Sequence, residues 1–89
     1  MRQEESFFDG REPVLVYIAK KLREAKRIEE LFDSASIDYL VEPDRYRGGV
    51  LFVRELVGAF FYVDDAQTDA ARSCLRAAGL KPYEPEPAG

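Results

Sequence analysis

The spacing of apolar residues changes from a strand period to a helix period and back along the chain, and this alternation constrains the fold more than any other feature. Residues 13–19 (PVLVYIA) form a nearly continuous apolar run, which predicts a strand covered on both faces. Residues 20–35 then carry one apolar stripe at helical spacing, formed by Leu22, Ala25, Ile28, Leu31, Phe32 and Ala35. Alternation returns over residues 37–42 and predicts a second strand, which we expect Pro43 to end because proline donates no ladder hydrogen bond.

The middle of the chain predicts a turn followed by the most regular strand pattern of the sequence. Residues 44–49 are rich in turn-forming residues, and residues 50–53 predict a short strand. Residues 57–63 (VGAFFYV) alternate Val57, Ala59, Phe61 and Val63 against Gly58, Phe60 and Tyr62. We therefore expect a central strand here, with Phe61 buried against the helices together with Leu31.

A second helix is predicted directly after this strand. Asp64 and Gln67 have the spacing of a capping box, and Asp65 adds negative charge where the helix dipole is positive. Gly79 lies where a left-handed residue would end the helix. Residues 80–83 then predict a short edge strand.

This order of elements predicts an α+β fold. The right-handed crossover rule favours a ferredoxin-like split βαβ sandwich, with two helices on one face of a four- to five-stranded, mainly antiparallel sheet. With 89 residues there is room for one domain, which we assign to residues 13–83. Residues 1–12 are expected to be a flexible arm that only Phe7 and Phe8 can anchor, and residues 84–89 a disordered tail.

Composition and charge argue against several functions. Lys and Arg number 13 against 17 Asp and Glu, a net charge of −4, which is the wrong sign for a domain that neutralises phosphates of nucleic acids. The strand VGAFFYV also lacks the basic residue before Gly58 and the aromatic residue after it that an RNA-binding sheet would need. There is no histidine, so imidazole-based catalysis and zinc sites built on histidine are excluded. We expect no enzyme activity, no cofactor and no metal.

The single cysteine and the short apolar runs indicate the cellular location of the protein. One cysteine cannot form a disulfide within the chain, and its place on the apolar side of the second helix predicts that Cys74 is a buried structural residue. No apolar run reaches the ~18 residues that a membrane span needs, and there is no secretory signal pattern. We therefore expect a cytoplasmic protein.

Basic residues cluster where the first helix begins. The predicted topology brings the first strand-to-helix turn and the glycine-containing turn to the same end of the sheet, so we predict a site for a phosphate, a carboxylate or an acidic partner. Its candidate residues are Lys20, Lys21, Arg23, Arg45, Arg47, Gly48 and Gly49. The alternative is a solvated basic face that is neutralised locally by Glu24, Glu29, Glu30 and Asp44.

The sheet face turned away from the helices is predicted to be too apolar to be left in water. It would carry Leu15, Tyr17, Leu40, Phe60 and Tyr62. The aromatic pair of the arm, the tail or a second copy of the chain would cover it. We expect a homo-oligomer, most simply a dimer, because five large side chains exceed what a short arm is expected to hide.

Two segments resemble a known family. KLREAKRIEELFDSASIDY and FFYVDDAQTDAARSCL resemble small bacterial domains that are described as signal-transducing proteins and are considered similar in fold to PII nitrogen-regulatory proteins. The resemblance covers residues 14–79, and Ser36 stands where that family usually has glycine. It implies a non-catalytic regulatory or ligand-binding module, and no ligand residue is carried over. The alternative is a structural subunit that assembles through its open sheet face.

Overall fold

The described part of the chain folds into two α-helices and a three-stranded antiparallel sheet. The structure, a computed structural model, describes residues 1–48 and 54–84. The elements are β1 (Pro13–Ala19), α1 (Leu22–Ser34), β2 (Tyr39–Gly48), β3 (Arg54–Asp64) and α2 (Thr68–Ala77), with short 3-10 helices at Glu5–Phe8 and Asp65–Gln67. Neither of the described helices has the length and apolar character that crossing a membrane requires.

The sheet has the order β1-β3-β2, with β3 antiparallel to both neighbours. The α+β class is therefore confirmed, whereas the expectation of four to five strands is wrong for the described part of the chain. The strand predicted over residues 50–53 lies outside the described residues. Residues 80–83 form no strand, although the Tyr83 amide donates a hydrogen bond to the Val16 carbonyl oxygen at 2.7 Å.

Pro43 does not end β2, and residues 44–48, which were predicted as a turn, continue the strand. β2 lies at the edge of the sheet. On the outer side of β2, away from β3, the Tyr39 amide donates to the Met1 carbonyl and the Tyr39 carbonyl accepts from the Gln3 amide. Alternate residues of an antiparallel strand turn their backbone groups to the same side, so Pro43 also faces outward and removes no bond to β3.

A bulge in β1 changes which side chains face the helices. Leu15 pairs with Tyr62, but Tyr17 pairs with Phe61, so the register shifts between them. One extra residue reverses the alternation that follows. Tyr17 therefore packs against the core on the helix side, and Ile18 takes its place on the open face. The prediction that Tyr17 faces away from the helices is wrong for this reason.

The core lies between the helices and the sheet. Its centre is an aromatic cluster in which the Phe32 ring lies 5.6 Å from Tyr39 and 6.2 Å from Phe61, between ring centroids. Phe61 is fully buried, as predicted, whereas Leu31 is only half-buried. Such pairs add to the free energy gained by burial, so this cluster holds α1 onto the sheet.

The start of α2 differs from the predicted capping box. Asp64 makes no side-chain capping bond; its carboxylate accepts a hydrogen bond from Arg11 at 3.4 Å. The Gln67 side-chain oxygen accepts from the Asp38 amide at 3.2 Å. A 3-10 turn separates Asp64 from α2, and the Thr68 hydroxyl donates to the Asp64 carbonyl. The side chains of Asp64 and Gln67 thus form hydrogen bonds with other segments of the chain instead of capping α2.

Both helices end in a left-handed residue. Gly79 follows α2 with φ of +80°, as predicted, and the next amide, that of Leu80, donates to the Leu75 carbonyl. Ser36 follows α1 with φ of +57°, and the Ile37 amide donates to the Phe32 carbonyl in the same pattern. Ser36 therefore adopts a backbone conformation that favours glycine.

The N-terminal arm crosses the open face of the sheet. It begins against the outer edge of β2 through the Met1 and Gln3 backbone, and it ends beside β3 at the ion pair between Arg11 and Asp64. Between these points Phe8 is 4% exposed, whereas Phe7 is 36% exposed. The arm is therefore held by backbone bonds and by ion pairs of Met1, Arg2 and Arg11, in addition to the aromatic anchor that the sequence predicted.

Candidate functional site

The helix side of the β2–β3 hairpin carries a groove. β1 pairs with β3 only as far as Ala19 opposite Ala59, whereas β2 and β3 stay paired out to Gly48 opposite Arg54. The hairpin thus extends beyond β1 and forms, with the start of α1, a groove of about 330 Å³. We call this the hairpin groove; its apolar lining consists of Ala19, Leu22, Ala25, Val41, Pro43, Val57 and Ala59.

Two aliphatic side chains on opposite walls of the hairpin groove are strongly exposed. Leu22, in the first turn of α1, is 73% exposed, and Val57, on β3, is 68% exposed. The sequence placed both on core-facing stripes, and that placement is wrong because the hairpin and the helix start diverge here. Single exposed aliphatic residues are common, but a continuous exposed apolar surface marks a place where something binds.

Lysine side chains stand at the rim of the hairpin groove. Lys20 and Lys21 both line it. The Lys20 ammonium lies 5.4 Å from the centre of the Tyr46 ring, on the open side of the hairpin. Lys21 is exposed, and none of the ion pairs among the described residues includes it. It therefore supplies positive charge beside Leu22.

The predicted anion cluster is divided into two groups. Lys20, Lys21 and Arg23 lie at the start of α1, whereas Arg45 and Arg47 lie on the hairpin and do not line the groove. The Arg45 guanidinium is neutralised by Glu55 at 3.3 Å, and the Lys20 amide donates to the Glu24 carboxylate at 3.3 Å. Gly48 ends β2, and Gly49 lies outside the described residues.

The alternative of a solvated basic face named Glu24, Glu29, Glu30 and Asp44 as the neutralising residues. The Lys20 backbone amide bonds to Glu24, but none of the ion pairs among the described residues joins one of these four carboxylates to a candidate cation. Arg45, however, is neutralised by Glu55, an acidic residue that this alternative did not include. The cations that line the groove are Lys20 and Lys21 at the start of α1 and Arg2 of the arm, which pairs with Glu29 at 3.6 Å.

Most of the open sheet face is covered within one chain. Leu40 and Phe60 are each 7% exposed, and Phe8 of the arm lies near Leu40 and Tyr62, with which it lines a shared cavity. Leu15 and Tyr62 are half-buried. The premise that a short arm hides too little of this face is wrong for Leu40. Phe60 is also buried within the chain, so a second copy would find mainly Leu15 and Tyr62 to cover.

Three tyrosines have pKa values above the ordinary phenol value. Burial is the largest cause for Tyr17, Tyr39 and Tyr62. Nearby carboxylates raise these pKa values further, namely Glu24 beside Tyr17 and Asp33 beside Tyr39. Because each shift favours the neutral phenol, these rings contribute packing and hydrogen bonding at neutral pH.

Cys74 has a packing role. Its side chain is half-buried, and its Sγ donates a weak hydrogen bond to the Leu31 carbonyl of α1 at 3.7 Å. Across residues 1–48 and 54–84, no three histidine, cysteine or acidic side chains lie close enough together to hold a metal ion. The hairpin groove is thus the feature with the clearest chemistry.

Comparison with protein-family models, with curated proteins and with solved structures finds no match to this chain.

Proposed function

We propose that this protein is a non-catalytic regulatory or binding module that takes an anionic, partly apolar partner in the hairpin groove. The observation that carries the proposal is the exposed aliphatic pair, Leu22 and Val57, beside Lys21. Burying such a side chain contributes about 1.5–3 kcal/mol, whereas an exposed ion pair contributes at most about 1 kcal/mol. Apolar contact would supply most of the affinity, and Lys21 would select an anionic partner.

The fold that belongs to this proposal is the PII-like, ferredoxin-like sandwich. The order β1-β3-β2, with both helices packed on one core, supports it. The Tyr83 amide bonded to the Val16 carbonyl places the end of the described chain beside β1, where a fourth strand of such a sheet would pair. A cytoplasmic location is part of the same proposal, supported by Cys74 as a free thiol.

An anionic, apolar dye tests the groove directly. We expect anilinonaphthalene sulfonate to bind the folded protein with increased fluorescence, and Lys21→Glu to weaken binding about fivefold to tenfold by replacing attraction with repulsion. Lys26→Glu is the control, because it makes the same charge change at an exposed position of α1 that does not line the groove. Equal titration curves for the two variants, at equal melting temperatures, would contradict the proposal.

The second candidate function is self-assembly through the open sheet face. The half-buried pair of Leu15 and Tyr62 favours it, because these side chains lie directly opposite each other on β1 and β3. It predicts that the wild type sediments as a dimer and that the double variant Leu15→Lys, Tyr62→Lys sediments as a smaller species. A wild-type protein that stays monomeric at high concentration in sedimentation equilibrium would rule it out.

A further inference from the structure

The outer edge of β2, which borders the hairpin groove, is poor in hydrogen-bond donors. Because Tyr39 turns its backbone groups outward, residues 43 and 45 do so as well. Pro43 has no amide hydrogen to offer. The Arg45 amide donates to the carboxylate of Asp44 at 2.7 Å, so it is occupied. Two successive outward positions of β2 thus present no open donor.

A partner in extended conformation is disfavoured at this edge. A peptide that adds a strand to a sheet gains its affinity from a regular ladder of backbone bonds. Proline at the edge and an amide that is already bonded interrupt such a ladder, and edge strands avoid pairing by the same devices. The partner must therefore bind through side chains lying on the groove.

The lining of the groove distinguishes between the remaining kinds of peptide partner. Proline-rich segments dock in grooves lined by aromatic rings, and the hairpin groove is lined by aliphatic residues such as Leu22, Val41 and Val57. An amphipathic helix satisfies its own backbone and places apolar side chains into an aliphatic groove. Lys21 at the rim is complementary to acidic residues flanking that apolar stripe.

We infer that the partner of the hairpin groove is an acidic amphipathic α-helix of another protein. Apolar side chains at helical spacing contact Leu22 and Val57, and carboxylates beside the stripe face Lys21. This inference rests on the proposed function and names the class of partner for the same site.

Designed peptides test the inference in the full-length protein. The first probe is a fluorescein-labelled helix of about 18 residues, with Leu at helical spacing and Glu elsewhere. The second probe replaces two central Glu residues by Pro, which breaks the helix. The third replaces Glu by Lys. Fluorescence anisotropy should show that the first probe binds at least about tenfold more tightly than the other two.

Two variants locate the binding. Val57→Asp places a negative charge in the groove, of the same sign as the acidic probe. Val57 is exposed, so the fold should tolerate the change. We expect the variant to bind the helical probe at least about tenfold more weakly. Phe7→Asp is the matched control, because it changes an exposed apolar residue that does not line the groove. It should leave the affinity for the helical probe unchanged.

The outcomes separate the inference from the proposed function. Equal affinity for the helical and the proline-containing probes, both weakened by Val57→Asp, would overturn the helical partner and leave the groove as the site. If no peptide binds but Lys21→Glu still weakens dye binding, only the inference of a helical partner is overturned. Two results would overturn the proposed site as well. One is a peptide affinity that Val57→Asp leaves unchanged, and the other is a dye affinity that Lys21→Glu leaves unchanged.

Discussion

Phe61→Ala is expected to lower the free energy of unfolding by about 3–5 kcal/mol, since it removes a fully buried ring and leaves a cavity. Phe61 lies on the central strand, with its ring centre 5.9 Å from that of Tyr39 and 6.2 Å from that of Phe32. The neighbouring rings come from β2 and α1, so collapse around the cavity is limited. Urea denaturation followed by circular dichroism measures the change.

Val57→Ala is the control for this prediction, because Val57 lies on the same face of β3 and is 68% exposed. Its effect should stay within about 0.5 kcal/mol. A Phe61→Ala protein that melts within a degree of the wild type would mean that the faces of β3 are assigned the wrong way round.

Phe8→Ala is expected to destabilise the fold by about 3 kcal/mol, near the lower end of the range for buried phenylalanine, because the end of the arm can partly close the cavity. Phe8 is 4% exposed and helps to cover Leu40 and Tyr62. Phe7→Ala is the matched control: Phe7 is 36% exposed, so its replacement should cost less than about 1 kcal/mol. Thermal denaturation of both variants compares them, and equal shifts would contradict the role of Phe8 as anchor of the arm.

The order of elements and much of the core could be predicted because they follow from apolar spacing. Ile28, Phe32, Phe61 and Val63 lie on regular stripes, and each is fully buried. The orientation of Tyr17 could not be predicted, because the bulge that reverses it depends on how β1 meets β3 and leaves no mark in the alternation itself.

The length of β2 was underestimated for a related reason. Proline ends a strand only where its missing amide hydrogen would have pointed to a neighbouring strand. β2 lies at the edge of the sheet, and Pro43 turns its backbone to the side without a neighbouring strand; the sequence alone establishes neither of these facts.

The hairpin groove was missed because it arises from a mismatch of lengths. β3 has 11 residues, and α1 has 13. At about 3.3 Å per strand residue and 1.5 Å per helix residue, the strand is close to twice as long as the helix that covers it. The sequence prediction gave β3 a length that α1 could cover. The uncovered end of the hairpin leaves Val57 and Leu22 exposed. A sequence prediction that extended both strands of the hairpin would have indicated the groove.

An acidic amphipathic helix is expected to contact this protein in the hairpin groove. The most direct measurement is a titration of ¹⁵N-labelled protein with the helical probe, followed through the amide resonances. We predict that the resonances of Leu22, Val41, Val57 and Ala59 shift most and that those of Leu15 and Tyr62 stay in place. Shifts concentrated at Leu15, Leu40 and Tyr62, with the groove residues unchanged, would contradict the account and assign binding to the open face.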